Sequence, residues 1–583
     1  MSKLIKTSKW DSYNPQFYRE SQQSLNGLWD FSMEDNKWQK INVPYCPESK
    51  LSGIGYTDFI EHCQYKKVFS VGNLAQDERF FLHFGAVDYK AEIYVNDIKI
   101  GEHEGGYTSF CCECTNAILQ GDNKLLVVVH DDINANVPSG KQSPKRNSFG
   151  CFYTRVTGIW QDVWLERTPK NYIKNVKYYP NINDVSVDVE ISVEGEGDVK
   201  VEVLYEGKTV GQAQSFIAFK KTLPVKLSEK HLWEVGQGNL YDVKITYGDD
   251  RVESYFGLRE VGFENEKFLL NGKSVFQRFV LDQGYNPDGL YTPPSDDWRV
   301  KDIARAMRLG FNGIRLHQKV FSPRYLYHCD RMGCMVWGEF PSWGMRYDSL
   351  ESLATLIKEW VETVERDFNH PSIVLWCPLN EVWKDLNEPK KSRDVRYIDA
   401  VYSLTKNIDK TRPCVDVSGG FHGHKTDLYD YHCYEEQDKF EKYINELEQE
   451  KKLEVPLLYD ENESELRYVE GLPVNVSEYG GIRFSQKETT AQTNTINECA
   501  VTCEDSWGYG KGESNENAFV ERYERLTNLI LQSALISGFC YTQLYDIEQE
   551  ENGFFTYERQ AKLSEEAMDR IAKCNKQMAA IEK

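Results

Sequence analysis

The chain is 583 residues long, 40% apolar and 27% charged, with a formal net charge of −22. That length is too great for one hydrophobic core, so three or four domains are expected, and the apolar share excludes wholesale disorder. The acidic balance, with no long basic block, argues against nucleic acid or an anionic membrane as a partner.

No apolar h-region follows Met1 and no run is long enough to span a bilayer, so neither secretion nor a membrane span is expected. The 15 cysteines are odd in number and scattered. Cys377, Cys414, Cys433 and Cys540 sit inside apolar runs, as free thiols do in a reducing cytoplasm, and a cytoplasmic protein is expected. Neither the cluster at Cys111, Cys112 and Cys114 nor the pair Cys499 and Cys503 has the spacing of a zinc knuckle. Self-association is left open.

From Leu25 to about Thr168, short β-prone runs (Phe80 to Phe84, Ala91 to Val95, Leu125 to Val129) alternate with turns at Asn96-Asp97 and Gly121-Asp122. Residues 1–168 therefore read as a β-sandwich of jelly-roll type. Such modules often bind sugar, but Trp29, Trp160 and Trp164 are expected in its core. Residues 169–257 read as a second, immunoglobulin-like sandwich. Val185 to Val193 alternates apolar and polar, and Val199 to Val203 repeats the pattern across a glycine-rich turn.

Beyond Gly257 the periodicity changes, and residues 258–583 alternate strand and helix. Strands are expected at Val275 to Leu281, Phe311 to His317, Cys334 to Trp337, Ile373 to Leu379, Cys414 to Val417, Leu428 to Tyr434, Val474 to Ser477 and Phe539 to Leu544. Helices are expected over Asp297 to Leu309, from Pro323, and over Leu350 to Phe368. Eight strands with interleaved helices fit a (β/α)₈ TIM barrel, whose chemistry lies at the carboxyl ends of the strands. Those ends offer Arg315 and His317 on strand two, Glu339 on strand three, and Asn380 and Glu381 on strand four. Strand six offers His432 and Tyr434, strand seven Glu478, and strand eight Tyr541 and Asp546. Glu381 and Glu478 would face each other across the barrel mouth, and paired carboxylates are what glycosidic cleavage needs. Trp376 and Trp383 flank Glu381 and are expected to desolvate it.

Asn380-Glu381 after strand four and Ser477 to Gly481 at strand seven resemble the signature of family 2 glycoside hydrolases. That family includes β-galactosidases, β-glucuronidases and β-mannosidases. The resemblance extends to Gly158 to Leu165, Leu269 to Lys273 and Leu281 to Thr292, and covers essentially the whole chain. It implies Glu381 as general acid/base, Glu478 as nucleophile of a retaining mechanism, and Asn380 on the sugar 2-hydroxyl. It also implies Arg315 and Tyr434 beside the nucleophile, with His432 and Glu339 as further substrate contacts. Tyr541 stands where the family often has Trp, and Trp343 lies in a loop that could stack on sugar.

The family's glucuronidases carry an Asn-x-Lys pair after the nucleophile to hold the sugar carboxylate. None occurs between Glu478 and Lys583, and Arg483 is the nearest candidate cation. The loop Phe340 to Met345 lacks the acid and histidine that hold a metal in large β-galactosidases, so no metal or other cofactor is expected. The expectation is an exo-acting hydrolase of oligosaccharides or glycosides, β-galactoside first. β-Glucuronide, β-mannoside and α-arabinoside are alternatives, as is a sugar-binding protein with an inactive barrel. Residues 486–517 read either as an active-site wall or as a surface insertion.

Overall fold

A computed structural model describes residues 12–34, 37–75, 77–132, 136–382, 393–453, 455, 468–485 and 506–583. The first module packs a four-stranded antiparallel sheet on a six-stranded one. Alternation along each strand sends one set of side chains inward. Trp29 and Phe31, Ala91 and Ile93, and Val127 and Val129 are all buried between the sheets. Trp160 and Trp164 are also buried, but Trp160 packs on Tyr107 and Tyr291, where this module meets the barrel.

The second module is built on two long strands, Ser186–Tyr205 and Lys208–Lys226. Val187, Val189 and Ile191 bury one half of the first, and Val199, Val201 and Val203 the other. Between Ser192 and Glu196 the register shifts, and Gly195 there has φ +82°. A bulge of this kind bends the strand, so one strand serves both layers of the sandwich. The two modules are joined at Arg19, which donates to Glu166 at 2.8 Å and Asp250 at 2.9 Å.

In the third module seven parallel strands hydrogen-bond in the barrel order four, three, two, one, eight, seven, six. They are Gln277–Asp282, Gly313–Leu316, Met335–Glu339, Ile373–Cys377, Tyr429–Cys433, Val474–Gly480 and Ile536–Thr542, which are strands one to four and six to eight. The fifth place is taken by residues 414–418. This segment runs beside strand four through bridges at Trp376–Cys414 and Asn380–Ser418. Its Ser418 Oγ donates to Asp430 Oδ2 of strand six at 2.7 Å, which closes the ring. The barrel interior is filled by Phe279, Leu281, Met335, Trp337, Leu375, Cys377, Val415 and Cys540.

Helices Asp296–Arg308, Pro323–Met332 and Leu350–Asp367 fall where the sequence places them. Pro323 opens the second helix and Gly333, at φ 68°, caps it. No described helix is long and apolar enough to cross a membrane.

Candidate active site

Glu381 lies just beyond the end of strand four, which stops at Cys377. Pro378 cannot continue the ladder, and Glu381 turns in the left-handed region at φ 49°. That conformation is uncommon for a residue with a side chain, and its N–H donates to Ser418 O at 2.8 Å. Glu478 is the fifth residue of strand seven, wholly within the barrel mouth. Oxygens of the two carboxyl groups and a ring nitrogen of His432 lie within 4.8 Å of one another.

Arg315 organises the floor beneath them. Its side chain has no solvent exposure, and it donates to Glu339 Oε2 at 2.6 Å, Glu478 Oε1 at 2.9 Å, Ser477 O at 3.0 Å and Asn380 Oδ1 at 2.7 Å. Tyr434 donates its hydroxyl to the other Glu478 oxygen, and stands 3.0 Å from Thr542 Oγ1. His432 spans the pair, with Nδ1 2.7 Å from Glu381 Oε1 and Nε2 3.3 Å from Glu478 Oε1. Burial alone would raise the Glu478 pKa. The charges of His432, Arg315, His317 and Lys141 outweigh burial and hold it down to about 2. Burial lowers the His432 pKa, but Glu478 and Glu381 together carry it above its ordinary value. Asn380 is fully buried, and its Nδ2 has no protein partner among the described residues. It is a donor held ready beside the two carboxylates.

Not every expected site residue reaches this centre. Glu339 is spent on Arg315 and on the Gln318 N–H at 3.0 Å, so it supports the floor and does not face the mouth. Tyr541 points outward into Tyr479, Tyr523 and Phe554. Alternation puts its neighbour Thr542 inside instead. Trp376 also points outward, stacked edge-on against Trp360 and donating to Asp409 at 2.8 Å, so it does not desolvate Glu381. Trp383 lies outside the described residues. Arg483 donates to Ser506 O at 3.1 Å and packs along Gly512, turned to that loop. Trp343 does line the site, its indole N–H donating to Asn380 O at 3.2 Å.

The sequence reading missed a contribution from the first module. Ser139 N donates to Trp343 O at 2.8 Å, and Tyr153 N to Lys141 O at 2.9 Å. The first bond and those of the Tyr153 hydroxyl with Glu550 and Gln283 lay residues 139–153 across the barrel mouth. Gly140 has φ +55°, and a Cβ there would meet Gln318 O at 2.3 Å, so the approach requires glycine. The ammonium of Lys141 sits 4.0 Å above the Trp343 ring. Of the loop 486–517, residues 486–505 lie outside the described residues. Tyr509, in the remainder, stacks on Tyr434 with ring centroids 3.5 Å apart and so forms part of the wall.

Residues 261–558 match the model described as glycosyl hydrolases family 2, TIM barrel domain. Residues 171–259 match glycosyl hydrolases family 2, and residues 36–171 the family's galactose-binding domain-like module. The chain belongs to glycosyl hydrolase family 2. It is 26% identical over 407 residues to a putative beta-glucuronidase of Formosa agariphila, covering 64% of this chain and 48% of that protein, about half its length. It is 27% identical over 462 residues to a beta-glucuronidase of Streptococcus agalactiae, covering 67% of this chain and 74% of the relative. The fold is similar to that of a beta-glucuronidase from an uncultured Clostridium, with TM-score 0.76 and 21% identity over 96% of this chain and 99% of the other.

Within this family 2 barrel, His432 carries a testable consequence. In His432→Gln the charge that most lowers the Glu478 pKa is gone, so the Glu478 pKa rises. On the expectation that Glu478 is the nucleophile and acts ionised, the acid limb of the kcat/KM profile moves to higher pH. A pH–rate profile measured on both proteins checks this; coincident acid limbs would contradict it. The three side chains are also spaced to accept a metal ion. Arg315, 3.4 Å from His432 Nε2, already supplies positive charge at that place.

Proposed function

We propose that the protein is a retaining, exo-acting β-glycosidase that removes a terminal β-linked glucuronic acid. The observation that carries the mechanism is the closeness of the two glutamates, with oxygens within 4.8 Å. Retaining enzymes hold their carboxyl groups about 5–5.5 Å apart, whereas inverting ones leave room for a water between groups about 6.5–9.5 Å apart. Glu478, kept ionised by its cationic neighbours, attacks the anomeric carbon. Glu381 gives its proton to the glycosidic oxygen as that C–O bond breaks, and the sugar is left as an ester of Glu478. Glu381, now a carboxylate, takes a proton from water. That water attacks the same carbon, and the Glu478 ester opens with the original configuration restored. Asn380 Nδ2 donates to the 2-hydroxyl, a bond that strengthens as positive charge grows at the anomeric carbon.

The sugar differs from the first choice read in the sequence. The two curated relatives described above are named beta-glucuronidases, which favours the glucuronide alternative over the galactoside. A sugar-binding protein with an inactive barrel fits poorly, because binding alone has no use for a buried, ion-paired Glu478.

A panel of nitrophenyl β-glycosides tests both parts. Fastest turnover of the glucuronide, with the β-anomer as first product by NMR, is expected. A best rate on the galactoside would replace the sugar, and no turnover of any member would leave the binding reading.

A further inference from the structure

An exo-enzyme needs a wall where the sugar ends, and here the wall is not made by the barrel alone. Residues 139–153 of the first module close the mouth on the side of strands one, two, three and eight. Tyr153 donates to Glu550 and accepts from Gln283 Nε2 at 3.1 Å. Gln549 Nε2 donates to Gly150 O at 2.7 Å and Phe152 O at 3.1 Å. Gly140 rests on Gln318 O and Pro341. This segment therefore borders the space beside Glu381 and Glu478, and a sugar held between them meets it on that side.

Lys141 is the cation in that wall. It is only 5% exposed, and no carboxylate among the described residues lies within ion-pair distance of its ammonium. The ammonium rests instead on the face of Trp343, the ring that donates to Asn380 O. With no direct ion pair, the buried ammonium is held beside the Cys151 thiol and by carboxylates farther off, which leaves its charge open to a direct partner. Burial would lower the Lys141 pKa, but Cys151, Glu381, Glu550 and Glu478 raise it, and it stays charged. Meanwhile the Asn-x-Lys pair that serves this purpose elsewhere in the family is absent after Glu478, and Arg483 is turned away.

We infer that Lys141, delivered by the amino-terminal sandwich, is the specificity determinant that pairs with the carboxylate of a terminal uronic acid. This rests on the glucuronide reading given above. Lys141 also helps hold Glu478 ionised, an effect shared by every substrate, so its pairing with a sugar carboxylate shows in the ratio of kcat/KM between charged and neutral sugars.

The test compares wild type, Lys141→Met and Lys141→Arg on nitrophenyl β-glucuronide, β-galacturonide and β-glucoside, with thermal melts as a control on folding. In Lys141→Met the ratio of kcat/KM for glucuronide over glucoside is expected to fall about 10- to 100-fold, the value of one charge-assisted bond. Lys141→Arg should recover part of that ratio. An equal loss on charged and neutral sugars would make Lys141 a structural residue and overturn the inference, as would an unchanged ratio. Absence of glucuronide turnover in wild type would instead overturn the sugar assignment itself. Preference for galacturonide, lost in Lys141→Met, would keep the carboxylate subsite and change only the sugar's C4 configuration.

Discussion

Glu478→Ala is expected to lower turnover of a nitrophenyl glycoside by roughly 10⁵-fold, about 7 kcal/mol of barrier. The loss is large because the covalent route disappears, and no described neighbour can take over: Tyr434 and Arg315 only donate to this carboxylate. The space left by the side chain lies on the attacking face. Azide entering it should displace the leaving group in one step and give a glycosyl azide of inverted configuration. Product analysis by NMR checks this. A retained azide, or a rate near that of wild type, would remove Glu478 from the nucleophile's role.

Arg315→Met is expected to cost about 3–5 kcal/mol of stability as well as most of the activity. The guanidinium is sealed from solvent, and its loss takes from Glu339, 0% exposed, its main counter-ion and from Glu478, 5% exposed, a direct ion pair. Urea denaturation gives the size of the effect. The double variant Arg315→Met/Glu339→Gln removes one of the stranded charges. It should regain part of the stability without regaining turnover, since Glu478 still lacks the guanidinium that binds its Oε1. If the single variant melts with wild type, the buried ion cluster is not what holds the floor together. The linkage with pH has a definite sign. The Glu478 pKa in the folded protein is depressed to about 2 from an ordinary value of 4.5. Its ion pairing therefore contributes stability above about pH 4.5, and that contribution fades as pH falls toward 2.

Much of this arrangement was legible in the chain. The buried runs ending at Cys377 and in Val474 to Ser477 named the two strands, and each delivered one glutamate. Arg315 and Tyr434 followed from their places at strand ends. Errors of parity arose where alternation had to be phased without a fixed point. Trp376 and Tyr541 sit one residue from inward-facing Cys377 and Thr542, and a one-residue shift reverses the face. The fifth strand is written in Cys414 to Val417, but only isolated bridges form there, at Trp376–Cys414 and Asn380–Ser418, on either side of Pro378, which has no N–H to continue the ladder. Lys141 had no local signal at all. It lies about 240 residues before Glu381 in a loop of ordinary composition, and only the docking of one module on another brings it to the barrel.

The segment laid across the barrel mouth separates two properties that a single-domain enzyme would have to alter together. The glutamates and Arg315 belong to the barrel, while the Lys141 ammonium beside them belongs to a sandwich loop. Changes in that loop can redirect which sugars are accepted while the bond-breaking apparatus stays as it is. For the same reason, a barrel cut free of its sandwich would keep both glutamates and Arg315 and lose the segment that walls the mouth beside them.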